Sequence, residues 1–129
     1  VSMLFRLKSS LGRGVMFRIT EDEVESGFDE TALYQGFPFT GEVVEETRGG
    51  VLVALTTYVD GVPDGVTKEW YPDGAKRSEG YNSRGRAIGT HVEWHKNGTL
   101  AREARFSDTG GYLGQRRWDD DGTLTLDDF

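Results

Sequence analysis

Three tryptophans stand 24 residues apart, at Trp70, Trp94 and Trp118, and Gly74, Gly98 and Gly122 keep the same step. A fixed period of this length marks one supersecondary unit stacked on copies of itself. Each copy opens on an aromatic residue (Tyr58, Tyr81, Phe106) and passes through a pair of glycines. It then reaches its tryptophan and closes on its turn glycine. Glu42 to Tyr58 reads as a divergent first copy, with Glu46 in the place of the tryptophan and Gly50 at the turn.

The unit is a β-hairpin. Val66-Thr-Lys-Glu-Trp70 and Thr90-His-Val-Glu-Trp94 are short and rich in strand formers. Tyr71-Pro-Asp-Gly74, His95-Lys-Asn-Gly98 and Asp119-Asp-Asp-Gly122 carry the residues of a type I turn followed by a left-handed bulge. Glycine suits that last place because a Cβ clashes when φ is positive. A helix is excluded by the same glycines, each of which would cost it about 1 kcal/mol. Closing each loop in this way predicts Trp94 opposite Leu100, Trp118 opposite Leu124, Glu46 opposite Leu52 and Trp70 opposite Lys76. Side chains alternate between the faces of a strand. One face is therefore expected to carry Val66, Lys68, Trp70, Val92, Trp94, Leu100, Ala104, Trp118, Leu124 and Leu126. The other carries Glu45, Glu69 and Glu93 until Arg117 breaks the series. The expected fold is all-β, an elongated single-layer antiparallel sheet of consecutive hairpins. Its exposed edges leave pairing into a homodimer open.

The first 35 residues stand apart from the repeat. Residues 1–15 read as a poorly ordered leader, with a short membrane-surface anchor as the rival reading. Residues 16–35 read as an acidic lead-in with short strands, and 36–129 as the hairpin domain. The net charge of -7 is uneven. Arg6, Lys8, Arg13 and Arg18 precede the first acid, Glu21, so 22 acids face 11 bases from residue 19 onward. Such a body repels nucleic acid, whose recognition relies on cations, and draws basic proteins. It also argues against an anionic lipid surface. No apolar stretch reaches the ~18–20 residues that cross a bilayer. The chain has no cysteine, which excludes disulfides and thiolate metal sites and fits a reducing, cytoplasmic setting.

Residues 36–126 resemble the MORN-repeat variant family, in particular the bacterial antitoxins of the YwqK type. The likeness rests on Phe-Thr-Gly41, on the recurring Tyr-x-x-Gly-x3-Gly-x4-Trp and on the Asp-Gly and Asn-Gly turns. It implies successive antiparallel hairpins and an antitoxin or immunity protein that binds and neutralises a co-encoded toxin. A scaffold or membrane-associated module without catalysis is the alternative it implies. Glu46, the irregularity by one residue at Gly110-Gly-Tyr-Leu-Gly114 and the acidic lead-in depart from the pattern.

Catalytic chemistry finds little footing. His91 and His95 lie on a strand, where four residues span about 13 Å, whereas zinc ligands converge within about 2 Å of one ion. Both read as surface histidines, and His95, beside a turn, as solvated. Asp119-Asp-Asp-Gly122 lacks the twelfth-position glutamate of a calcium loop. Glu45, Glu69 and Glu93 share one environment, whereas acid–base work needs carboxylates in split environments. Neither an enzyme, a metal nor a cofactor is expected. The candidate partner-binding residues are Glu23, Glu25 and Asp29 in the lead-in, Glu45, Glu69 and Glu93 on the sheet, and Trp70, Trp94 and Trp118 as half-buried anchors. Gly50, Gly74, Gly98 and Gly122 are the structural turn glycines.

Overall fold

A computed structural model of the chain describes residues 7–9 and 15–129. The described residues form strands β1 (Leu7–Ser9), β2 (Val15–Thr20), β3 (Glu25–Ser26), β4 (Ala32–Tyr34), β5 (Phe37–Pro38), β6 (Gly41–Glu46) and β7 (Leu52–Val59). They continue with β8 (Val62–Trp70), β9 (Lys76–Ser83), β10 (Arg86–Trp94), β11 (Leu100–Phe106), β12 (Tyr112–Trp118) and β13 (Leu124–Asp128). From β6 to β13 each strand pairs antiparallel with the next, giving one long open sheet of consecutive hairpins. β2 joins β6 in parallel, and β1 pairs with β2 at the far edge. The only helical turn among the described residues is a single 3-10 turn, Glu21–Glu23, and no helix is long and apolar enough to cross a membrane. Leu7–Ser9 lies within the expected leader. Residues 1–6 and 10–14 of that leader fall outside the described residues.

The turn chemistry sets the register. Tyr71, His95 and Asp119 each donate their N–H to the carbonyl four residues on, at 2.8, 2.8 and 2.9 Å, and each accepts from the turn glycine. Thr47 and Gly50 close the first copy in the same way. Gly50, Gly74, Gly98 and Gly122 sit at φ 87, 93, 89 and 90°, the left-handed region that a Cβ resists. The partners are Glu46↔Leu52, Trp70↔Lys76, Trp94↔Leu100 and Trp118↔Leu124, as the turns require.

A bulge follows at once in every copy, between Glu45 and Glu46, Glu69 and Trp70, Glu93 and Trp94, and Arg117 and Trp118. The extra residue reverses side-chain parity on the returning strand. Ala104 consequently pairs with His91 and Leu126 with Arg117. Both lie on the glutamate face, not on the tryptophan face that simple alternation from Leu100 and Leu124 predicted.

At the other end of the hairpins, Asp60-Gly61 and Arg84-Gly85 make two-residue turns with positive φ at both places (50 and 82°, 51 and 84°). This is the tight loop whose twist matches that of paired strands. The third connection is the irregular one. Ser107 to Gly111 repeats the bonding of the Thr47 turn, and this longer loop is taken from the flanking strands, since the 24-residue step is kept.

The core is thin and sits at the first strands. Ile19, Tyr34 and Phe39 form its centre, with Phe17, Val24, Val43 and Tyr58 against it. Strands β3, β4 and β5 form a separate small sheet, and Tyr34, Phe39 and Val24 on or beside it lie over Phe17, Ile19, Val43 and Tyr58 on the glutamate face of β2, β6 and β7. Gly61 fastens the two sheets. It donates to Phe39 O and accepts from Ala32 N–H, both at 2.8 Å. An added Cβ there would fall 1.9 Å from Thr31 Cγ2 and 2.8 Å from Ala32 O, whereas at Gly74 it would meet nothing within 4 Å. Gly74→Ala is therefore expected to cost about 1–2 kcal/mol, the left-handed penalty alone. Gly61→Ala should cost clearly more, because the small sheet must lift. Chemical denaturation of both variants checks this, and equal losses would contradict the fastening role.

Candidate functional site

The register draws one continuous row across the sheet. Glu45 pairs with Ala54, Ala54 with Glu69, Glu69 with Ser78 and Ser78 with Glu93. Glu93 pairs with Arg102, Arg102 with Arg117 and Arg117 with Leu126. Paired residues share a face, so the three glutamates stand in line, two strands or about 10 Å apart. Their settings differ. Glu69 accepts from the Ser78 hydroxyl at 2.9 Å. Glu93 is bridged by Arg102 at 2.9 Å, and Arg102 also donates to Gln115 at 2.8 Å. Glu45 and Glu69 are exposed, and neither is held by a basic side chain in the ion pairs of the described residues.

The row thus runs from an acidic end to a basic one. At the acidic end, Glu21, Glu45 and Glu69 line an open hollow of about 470 Å³ with Val24 and Ser26. A neighbouring hollow of about 370 Å³ adds Asp22 and Glu46. Among the described residues no lysine or arginine lines either. Further along, an open groove of about 590 Å³ includes Glu69, Ser78, Glu93, Arg102 and Arg117, with Tyr71 and His95 at its end.

Tyr71 and His95 stitch the copies together. The Tyr71 hydroxyl donates to Trp94 O at 2.8 Å, and one period on, His95 Nε2–H donates to Trp118 O at 2.8 Å. Asn97 Nδ2 adds a bond to Asp120 O at 2.8 Å. His95 is half-buried and engaged, where the sequence predicted a solvated ring. The carbonyl of the next hairpin lies within its reach because the copies stack in register. His91 is also occupied. Its ring covers Gly80, where a Cβ would come within 2.3 Å of Nδ1. It meets Phe106 edge-on at 5.2 Å, and Nε2–H donates to Tyr81 O at 2.8 Å. Among the described residues no group of three or more His, Cys, Asp or Glu is gathered to hold a metal ion.

The tryptophans lie on the opposite face, since each follows a member of the Glu69–Glu93–Arg117 row by one residue. Trp70, Trp94 and Trp118 are all half-buried. Lys76, paired with Trp70, extends its ammonium over the Trp94 ring at 5.7 Å, so cation–π contact fills the gap between two copies. Leu124, opposite Trp118, is 47% exposed.

The structure engages the three lead-in candidates in local bonds. The Glu23 carboxylate accepts from Thr20 N–H at 2.9 Å and its hydroxyl at 3.0 Å, capping the 3-10 turn. Glu25 accepts from Gly36 N–H at 3.2 Å. Asp29 accepts from the Thr31 hydroxyl and from Thr31 N–H at 3.1 Å. These bonds, the hydroxyl first, hold its carboxyl below the usual carboxylate range. Sequence reasoning singled out neither Glu21, Asp22 and Glu46 at the acidic end nor Tyr71. The 24-residue spacing of Tyr71, His95 and Asp119 was a signal that could have found the inter-copy bonds. Nothing in the spacing pointed to Glu21.

No protein family, curated protein or solved structure matches the chain.

Removing the Tyr71 hydroxyl by Tyr71→Phe should lower unfolding free energy by about 1 kcal/mol, the net worth of one hydrogen bond. Urea denaturation measures it. An unchanged midpoint would show that the stitch to Trp94 contributes nothing in solution.

Proposed function

We propose that this chain is a non-catalytic binding protein of the cytoplasm, an antitoxin or immunity protein that seats a basic protein toxin on its glutamate face and occludes it. The observation that carries the reading is the in-line placement of Glu45 and Glu69 on one open face, joined there by Glu21. Carboxylates held in a row on a rigid sheet set up a potential that steers a cationic partner and fixes how it docks. A nuclease domain suits such a surface, because its own substrate site is basic. The row then presents such a domain with the same sign of charge as its polyanionic substrate. Nucleic acid itself is repelled by the same charges.

The charge gradient refines the candidates. Glu93 already has Arg102, so the acidic end at Glu45 and Glu69 contributes most of the attraction. The indoles stand half-buried on the other face, and the turn-to-turn bonds of Tyr71, His95 and Asn97 hold the copies in register beneath the row.

The test uses the protein product of the neighbouring gene as the partner. Co-expression with the chain should restore growth if that product is toxic. Glu45→Lys with Glu69→Lys should abolish rescue and weaken the dissociation constant about a hundredfold or more, mostly through slower association at low salt. Glu93→Lys alone should have a smaller effect. Unchanged neutralisation in the double reversal would contradict the reading. Flotation of the free chain with anionic vesicles, with no toxin needed, would favour a membrane-associated scaffold instead.

A further inference from the structure

One turn of the chain departs from its siblings in a costly way. Gly27 N–H donates to Thr31 O at 2.7 Å, and Glu30 N–H donates to Gly27 O at 3.0 Å. The same pair of bonds closes the loops that begin at Thr47, Tyr71, His95, Ser107 and Asp119. Asp29 caps Thr31 N–H as Asp73, Asn97 and Asp121 cap Ala75, Thr99 and Thr123. Six loops therefore share one frame, and positions within it can be compared directly.

Two positions of the sixth loop change chemistry. The first loop position holds Arg48, Pro72, Lys96, Asp108 and Asp120 in the others, and Phe28 here. Phe28 is 108% exposed, the most open large apolar side chain among the described residues. The left-handed position holds glycine in the other five, and Glu30 at φ 67° here. A Cβ in that region is strained, and a phenylalanine standing in water forgoes all burial. Among the described residues no side-chain hydrogen bond, ion pair or ring contact uses either choice. The ring stands at one tip beside the carboxylates of Asp29 and Glu30, and an aromatic ringed by charge is a suitable anchor for a partner.

We propose that Phe28 is the anchor of a docking tip that inserts into an apolar socket on a protein partner, the rim of that socket carrying lysine or arginine against Asp29 and Glu30. The partner class rests on the reading of the glutamate face given above. Four hydrogen bonds close residues 27–31, so the backbone that presents the ring is already formed and binding orders the side chain alone. Ser26, two residues before it, lines the acidic hollow with Glu45 and Glu69, so tip and row form one continuous surface. A buried aromatic surrounded by charge-matched contacts is the usual form of a binding hot spot. A second copy of this chain offers a poorer socket. Its apolar hollow under Phe37 and Pro38 has no cation among the described residues that line it. An anionic lipid surface would repel Asp29 and Glu30.

The experiment measures binding of the full chain to the neighbouring gene's product, by a surface kinetic assay. Phe28→Ser should weaken the dissociation constant at least about twentyfold while leaving the melting temperature no lower, because the ring has no partner within the fold. Glu30→Gly should raise the melting temperature and slow association. A Phe28→Ser dissociation constant within threefold of the parent overturns the proposal. If Glu45→Lys with Glu69→Lys abolishes binding while Phe28→Ser does not, the glutamate face stands and the tip falls. If only Phe28→Ser abolishes it, the tip stands and the glutamate face falls. No binding by the parent chain overturns both. A dimer, or a flotation with phosphatidylglycerol vesicles, that Phe28→Ser dissolves overturns the protein socket in favour of a second copy or of lipid.

Discussion

A four-residue turn closed by one left-handed residue is the constraint from which the rest of this structure follows. Its two backbone hydrogen bonds fix which residue faces which across each hairpin, and the bulge it carries fixes parity on the returning strand. Because the turn recurs at a set interval, the same positions return to the same face. Three glutamates and three indoles are sorted onto opposite sides with no core needed to sort them. A turn of another length would move a whole strand's side chains to the wrong side.

The energetics are correspondingly distributed. Most of the buried apolar residues lie at the first strands, where the small sheet covers Ile19, Val43 and Tyr58. In the later copies Ala104 is the one buried hydrophobic among the described residues. Those copies are held by backbone ladders, by bonds from one turn to the next, and by cation–π contacts such as Lys76 on Trp94. Phe129 lies between Arg105 and Arg116, at 4.0 and 4.4 Å. Each contact reaches only its neighbour, so stability is a sum over interfaces rather than the property of one core. The lead-in element acts as a cap on the first interface, and its acidic residues have structural work there before any partner arrives.

The legible parts of the fold were those written in turn chemistry. Asp-Gly and Asn-Gly after a strand gave the hairpins, the cross-strand partners of all three tryptophans and the common face of Glu45, Glu69 and Glu93. Ala104 and Leu126 were misplaced because alternation was counted straight through a bulge. The spacing says that a bulge exists, but parity must be recounted beyond it. The second glycine of each pair hides another irregularity. At Gly65 and Gly89, three residues of one strand oppose a single residue of its neighbour. Of the candidate site, the row was readable and its environment was not. Glu23, Glu25 and Asp29 read as one charged run, yet Thr20 and Thr31, three and two residues away, engage Glu23 and Asp29 locally, and only the Gly36 amide on Glu25 is brought near by the fold. Phe28 carried no signal until five other loops of identical bonding showed what normally stands in its place.

The central claim is the register that lines up the glutamates across successive copies, and the absence of native cysteine lets disulfide trapping test it directly. Ser78 and Glu93 are Cα partners from different copies, at a separation of about 4.5–5.5 Å that a disulfide spans. Ser78→Cys combined with Glu93→Cys should oxidise readily to an intramolecular bond, and Glu79→Cys combined with Glu93→Cys should remain reduced. Rapid closure of the second pair and failure of the first would mean that the strands are offset by one residue, and the glutamate row would not exist.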